Sequence, residues 1–152
     1  MSDQHPIVED DVLGTLVRAT TELSDGEILT HDWYAGSVAV DGGDLDLMIE
    51  GTSPDQVSPL LPRLREVVSR IGALRRTASD AVVTRFSTGE PETHELDEAA
   101  SDLTLETLEA AADGTIILHL NDDCGEHFPE GYWPAVHLGP DDDDVTDVTV
   151  ES

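Results

Sequence analysis

Side chains that could bind a metal ion are concentrated near the end of the chain. His119, Cys124 and His127 lie close together in the sequence, and His137 follows on a later predicted strand. Imidazole, thiolate and carboxylate groups are the usual ligands of zinc. Their spacing matches no established zinc signature, and the chain is rich in carboxylates throughout. We therefore expect a hydrated loop and no cofactor here, with a metal site at these four residues as the alternative.

Two adjacent aromatic pairs contain four of the six aromatic residues of the chain, namely Trp33-Tyr34 and Tyr132-Trp133. Adjacent residues of a strand point to opposite faces of a sheet. One member of each pair should therefore enter the core, while the other is free to anchor a partner protein. The alternative is that both pairs cap opposite ends of the core.

Arginine is concentrated in the middle of the chain. Residues 56–86 contain six arginines against Glu66 and Asp80, a local charge of +4, so that the total of −27 leaves −31 for the remainder. Arg75 and Arg76 on this surface are candidates for docking an acidic partner, although pairing with the protein's own carboxylates is the interpretation we favour. We expect no nucleic-acid binding, because a surround of −31 repels phosphates.

These side chains depend on elements that the apolar pattern predicts. Residues 54–86 show helical periodicity, with apolar side chains at steps of three and four. Ser53 and Gln56 have the spacing of a capping box. Pro59 and Pro62 predict a short opening turn before the regular helix, since proline lacks an amide hydrogen.

Alternating apolar residues predict hairpins on both sides of this helix. Residues 33–50 alternate around a glycine-rich turn, and residues 103–120 do so around Asp113-Gly114. The alanine and glutamate content of 103–112 leaves a helix open as the alternative there. Further strands are predicted at 133–138 and 145–150.

The order of hairpins, helix and hairpins predicts an α+β fold. We expect an antiparallel sheet built from hairpins, with one long amphipathic helix, about 54–86, packed on one face. A single domain should span 12–150, preceded by a flexible acidic N-terminus at 1–11. Residues 87–102 should form an acidic surface linker.

The charge balance predicts the environment. The 152 residues include 34 acidic residues and seven basic ones, and every basic residue is arginine. Such a surface repels itself in dilute buffer, whereas molar salt reduces the Debye length to about 3 Å. We predict a salt-adapted globular protein, as in a haloarchaeal cytosol, with intrinsic disorder as the alternative. The single cysteine and the absence of an apolar run of ~20 residues predict a cytoplasmic protein that does not cross a membrane.

Several short motifs carry a resemblance: Leu13-Gly14-x-Leu16, Trp33-Tyr34-x-Gly36, Leu103-Thr104-Leu105-Glu106, Asp113-Gly114 and Tyr132-Trp133. In this order the chain resembles the small uncharacterised prokaryotic families known only as domains of unknown function. The resemblance implies a compact α+β domain with no assigned activity and no assigned catalytic residues.

The function that we predict from these patterns is protein binding without catalysis, as an accessory or immunity-like module. The alternative is a metal- or small-ligand-binding protein that uses the loop from His119 to His127. A metal-dependent hydrolase would also need an open coordination position and a general base. The sequence leaves the partner and the oligomeric state open.

Overall fold

The computed structural model describes residues 6–40, 43–122, 131–140 and 144–151. Within these ranges the chain forms eight strands, and the helices lie between the fourth and the fifth. The strands are β1 Val8–Asp10, β2 Gly14–Glu22, β3 Ile28–Val40, β4 Gly43–Glu50, β5 Leu103–Ala110, β6 Ile116–Asp122, β7 Trp133–Leu138 and β8 Val145–Glu151. The helices are α1 Pro54–Val57, α2 Leu61–Ser69, α3 Ile71–Phe86 and α4 Thr93–Asp102, and a 3-10 turn at Ser58–Leu60 joins α1 to α2.

All eight strands belong to one sheet, in the order in which they occur in the chain. Neighbouring strands are antiparallel, except that β4 and β5 run parallel from Asp46 opposite Thr107 to Ile49 opposite Ala110. The sheet therefore consists of two four-stranded antiparallel meanders joined along this pairing, which we call the parallel seam. A parallel pair needs a long crossover, and the helices provide it.

The predicted fold class, an antiparallel sheet with one long helix at about 54–86, is wrong. The structure is mostly sheet, the sheet is mixed, and α3, the longest helix in the described ranges, has 16 residues. Pro59 lies in the 3-10 turn between α1 and α2, and Pro62 lies in the first turn of α2, and each removes an amide donor. Arg70, with φ −115° and ψ 21°, separates α2 from α3.

Two shorter elements lie in segments that the sequence assigned to irregular structure. Residues 93–102, within the predicted surface linker, form α4, whose Ala99 is buried. Val8 of β1 is also buried, although it lies within the predicted flexible N-terminus. Each element buries few apolar side chains, so hydrophobic periodicity gives little sign of it.

The hairpin predictions are confirmed. β3 pairs with β4 in a regular antiparallel register, and Leu45, Leu47 and Ile49 of β4 are all buried. The segment after residue 102 is strand, and β5 pairs with β6 across the Asp113-Gly114 turn. The predicted N-cap is also present, since the Ser53 side chain accepts a hydrogen bond from the amide of Gln56.

The helices cover one face of the sheet. Leu64 and Val67 of α2 and Leu74 of α3 join the buried strand side chains in one hydrophobic cluster. On this side, Leu16 of β2 packs over Gly36 of β3 so closely that a Cβ at Gly36 would lie 2.5 Å from Leu16 Cδ2. Two of the short motifs noted in the sequence thus form one packing contact.

Candidate functional site: an aromatic pocket on the open sheet face

The opposite face of the sheet carries no helix in the described ranges. Side chains alternate across a strand, so every second residue points away from the helical layer, and these positions are half-buried where their neighbours are buried. We call this surface the open face. Its side chains include Trp33 and Ala35 of β3, Met48 of β4, Glu109 of β5, Ile117 and His119 of β6 and His137 of β7.

A cavity of about 400 Å3 lies on this face, lined by the middle of β5, the end of β6, the start of β7 and Met48 of β4. Its volume falls within the range of small-ligand sites, roughly 300–1,000 Å3. We call it the aromatic pocket. The side chains that define its character are Met48, Glu106, Glu109, His119, Tyr132 and Trp133.

His119 is held between an indole and a carboxylate. The Trp133 Nε1–H donates a hydrogen bond of 3.0 Å to His119 Nδ1. His119 Nε2 lies 2.8 Å from Glu109 Oε1. Because Nδ1 accepts, the ring proton lies on Nε2 and is donated to Glu109. One tautomer and one ring orientation are thereby fixed.

This geometry makes His119 a positioning residue. Neither ring nitrogen presents a free lone pair, because Nδ1 accepts the hydrogen bond from the indole N–H and Nε2 carries the proton that it donates to the carboxylate. A metal ligand or a general base needs such a lone pair. Binding a metal at Nδ1 would displace the hydrogen bond from Trp133, and binding at Nε2 would displace the one to Glu109; each contributes about 1 kcal/mol.

The structure does not bring the predicted metal ligands together among the residues that it describes. His119 and His137 lie on the same face of neighbouring strands, but His137 Nε2 is 3.0 Å from Thr149 Oγ1 and so has a separate partner. Cys124 and His127 lie outside the described residues. One convergent set of potential ligands occurs within the described ranges, at the exposed start of α4, and contains Glu92, His94 and Glu95.

The expectation that one member of each aromatic pair enters the core holds for Trp33-Tyr34 but not for Tyr132-Trp133, neither of which is buried. Tyr34 is fully buried, and its hydroxyl donates to the carbonyl of Pro6 at 3.0 Å. Trp33 lies on the open face and stacks on His31 at a centroid distance of 4.4 Å. Trp133 lines the aromatic pocket, and Tyr132 at its rim is 50% exposed.

Several arginines of the helical layer contact carboxylates of the protein itself. Arg76 Nε is 2.9 Å from Asp80 and its Nη2 is 2.7 Å from Asp97, so this side chain connects α3 to α4. Arg65 binds Asp10 through Nε at 2.8 Å. Arg75, the other candidate for docking, is half-buried on α3.

Sequence reasoning did not identify Met48, Glu106 or Glu109 as residues of a site. Glu109 had a usable signal, because the Asp-Gly turn fixes the register of β5 and β6 and places Glu109 on the same face as His119. Met48 had no such signal, since only the pairing of β4 with β5 at the parallel seam brings it to the pocket, and no local sequence pattern encodes that pairing.

Comparison with known proteins found no relative of this chain. The chain matches no protein-family model, no curated protein and no solved structure. The resemblance to a family of uncharacterised domains therefore rests on its short motifs alone. Within the described ranges, no helix is long and apolar enough to cross a membrane.

Proposed function

We propose that this protein is a non-enzymatic, salt-adapted cytoplasmic module that binds a partner protein through the open face of its sheet. The observation that carries the proposal is the position of Tyr132 and Trp133 at a concave site on that face. Aromatic residues are enriched at protein interfaces and often dominate their energetics. This chain has only six of them.

Further apolar surface extends from the pocket toward the other meander. Val17 of β2 pairs with Ala35 of β3 on the open face and is exposed, and Leu29 further along β3 is exposed as well. Trp33 lies between these positions. Apolar side chains left exposed on two neighbouring strands of a strongly acidic protein favour a surface that a partner covers.

The chemistry of His119 supports a role other than catalysis for this residue. Both of its nitrogens are engaged within the protein. A general base must be within reach of a substrate proton and able to accept it. His119 fulfils neither condition without losing the contacts that orient it.

The test is affinity capture from a lysate of the source organism in molar KCl, with wild-type protein and two matched variants. Tyr132→Ala removes an open-face aromatic side chain that is 50% exposed, and Phe86→Ala removes one that is 51% exposed at the end of α3. We expect one protein in near-equal amount with wild type and Phe86→Ala, and at least tenfold less with Tyr132→Ala. Capture that is equal with both variants would contradict the proposal.

A small-ligand-binding protein is the second candidate, and the volume of the aromatic pocket favours it. Native mass spectrometry of the protein purified from its source distinguishes the two. A bound molecule of small mass that is lost in Tyr132→Ala would support this candidate.

A further inference from the structure

We infer that the aromatic pocket receives the cationic side chain of an arginine or a lysine presented by the partner protein. This inference rests on the proposed function and specifies its chemistry. It follows from the combination of aromatic rings and carboxylates at a site that has no arginine among its described lining residues.

The aromatic side chains provide the first part of such a site. A cation over the face of a tryptophan or tyrosine ring is attracted by the ring electrons, and the attraction is stronger when the cation is desolvated. Trp133 is held by its hydrogen bond to His119, so the indole does not have to be ordered when a ligand binds. A pre-ordered ring lowers the entropic cost of binding.

The carboxylates provide the second part. Glu109 uses Oε1 for His119, whereas its Oε2 has no hydrogen bond within the described ranges, and its side chain is 26% exposed. Glu106 is exposed at the same cavity. A guanidinium or ammonium group could therefore donate a charge-assisted hydrogen bond to Oε2 of Glu109 while Oε1 keeps its contact with His119.

No arginine is among the described residues that line this pocket. Arg65 and Arg76 bind carboxylates in or beside the helical layer, on the other side of the sheet. An anionic ligand would be repelled by Glu106 and Glu109. A partner protein fits better than a free cation, because the apolar open face extends from the pocket as far as Val17 and Trp33 and offers surface that only a larger molecule can cover.

The experiment compares two capped tripeptides in molar KCl, Gly-Arg-Gly and Gly-citrulline-Gly, which have nearly the same shape and differ in charge. Binding is followed by NMR at the indole N–H of Trp133, with the indole N–H of Trp33 as internal reference. We expect the arginine peptide to shift the Trp133 resonance saturably and to bind about tenfold more tightly than the citrulline peptide.

Two variants test the role of the carboxylate. Glu109→Gln retains an oxygen that can accept from His119 but removes the charge, so we expect it to reduce the affinity for the arginine peptide by about three- to tenfold and to leave the citrulline peptide unchanged. Glu66→Gln, on α2, is the matched control and should change neither affinity.

Equal binding of the two peptides, or no shift at Trp133 with either, would overturn the inference. Neither result would decide the proposed function. The capture experiment with Tyr132→Ala and Phe86→Ala tests that function independently. Loss of capture in Tyr132→Ala together with equal peptide binding would mean that a partner uses this face without inserting a cation.

Discussion

At the scale of single residues, Asp10 connects the N-terminal strand to the helical layer. Its side chain is only 2% exposed, and its Oδ2 accepts from the amides of Val12 and Leu13 at 2.9 Å each. Oδ1 accepts from Arg65 Nε at 2.8 Å. The hydrogen bond from Arg65 and those from the two amides lower the Asp10 pKa to about 2 from its usual 3.8.

This lowered pKa predicts a pH-dependent contribution to stability. The folded state binds the Asp10 proton less readily than the unfolded chain, so the contribution is complete above about pH 4 and is lost as the pH falls through about 2. A shift of about two units corresponds to about 2.5 kcal/mol, and the exposure of Arg65 reduces this to about 1 kcal/mol. Asp10→Asn should cost about that much at pH 7 and little at pH 2.

Urea unfolding of wild type and Asp10→Asn at a series of pH values and constant KCl measures this difference. Taking the difference between the two proteins cancels the titration of the other carboxylates. A cost that does not change between pH 7 and pH 2 would mean that the charge of Asp10 has no part in it.

Gly114 provides a second prediction at this scale. Its φ of +94° is unfavourable for side-chain-bearing residues, and a Cβ there would lie 2.9 Å from Pro140 Cβ. Gly26, with φ +89°, has a similar positive-φ backbone conformation, but no atom lies within 4 Å of its Cβ position. Gly26→Ala should therefore cost about 1–2 kcal/mol of unfolding free energy, and Gly114→Ala should cost more.

The comparison of Gly114→Ala with Gly26→Ala by denaturant unfolding isolates the contact with Pro140. Equal costs would show that the β5–β6 turn moves away from Pro140 without loss. In that case the chain after β7 would not depend on this turn.

At the scale of elements, the outer part of the β2–β3 hairpin is supported by no other strand in the described ranges. β1 pairs with β2 only up to Leu16, and β4 pairs with β3 only from Trp33 onward. Residues 20–30, which we call the hairpin arm, therefore pair in the sheet only with each other. Leu23, Ile28 and Leu29 of this arm are exposed.

We expect the amides of the hairpin arm to exchange with deuterium much faster than those of β6, which has a paired neighbour on both sides. Few buried contacts and solvent-exposed hydrogen bonds permit local opening without global unfolding. Hydrogen–deuterium exchange with mass spectrometry provides the measurement, and peptides from α3 serve as the reference. Protection of the arm equal to that of β6 would contradict this expectation.

The elements also show what the sequence can encode locally. The hairpins were predictable because alternation and an Asp-Gly turn act over a few residues, as in β5 and β6. The helical break at Arg70 was not, because neither a proline nor a glycine occupies that position. The parallel seam and the position of Met48 were out of reach, since they depend on segments that meet only after the whole helical layer has formed.

The candidate site shows the same difference between what local sequence encodes and what long-range pairing decides. Tyr132, Trp133 and His119 could be selected from the sequence by residue type, and the structure places all three at one pocket. That they meet at one pocket could not be inferred, because the hydrogen bond from Trp133 to His119 joins two strands whose pairing the sequence did not specify.

At the scale of the whole molecule, the net charge of −27 is the dominant electrostatic quantity. Internal ion pairs such as Arg65–Asp10 and Arg76–Asp97 draw on only seven arginines, against 34 acidic residues. Salt weakens both repulsion and attraction, but the unpaired acidic residues far outnumber these pairs. Screening should therefore stabilise the fold.

We predict that the melting temperature rises by roughly tens of degrees between millimolar and molar KCl, because screening removes self-repulsion. Circular dichroism against temperature at several KCl concentrations measures it, and equal osmolality of sucrose controls for effects unrelated to charge. A melting temperature indifferent to KCl would refute salt adaptation, and a fall would indicate that the internal ion pairs dominate.

The parallel seam has a consequence for how the chain folds. Residues that meet across it, such as Asp46 and Thr107, are 61 positions apart, whereas Ala110 and Ile116 across the β5–β6 turn are six apart. Closing the longer loop costs about 2 kcal/mol more in chain entropy. We therefore expect each meander to form from local contacts as it leaves the ribosome, and the two halves to join last, after the helices have been synthesised.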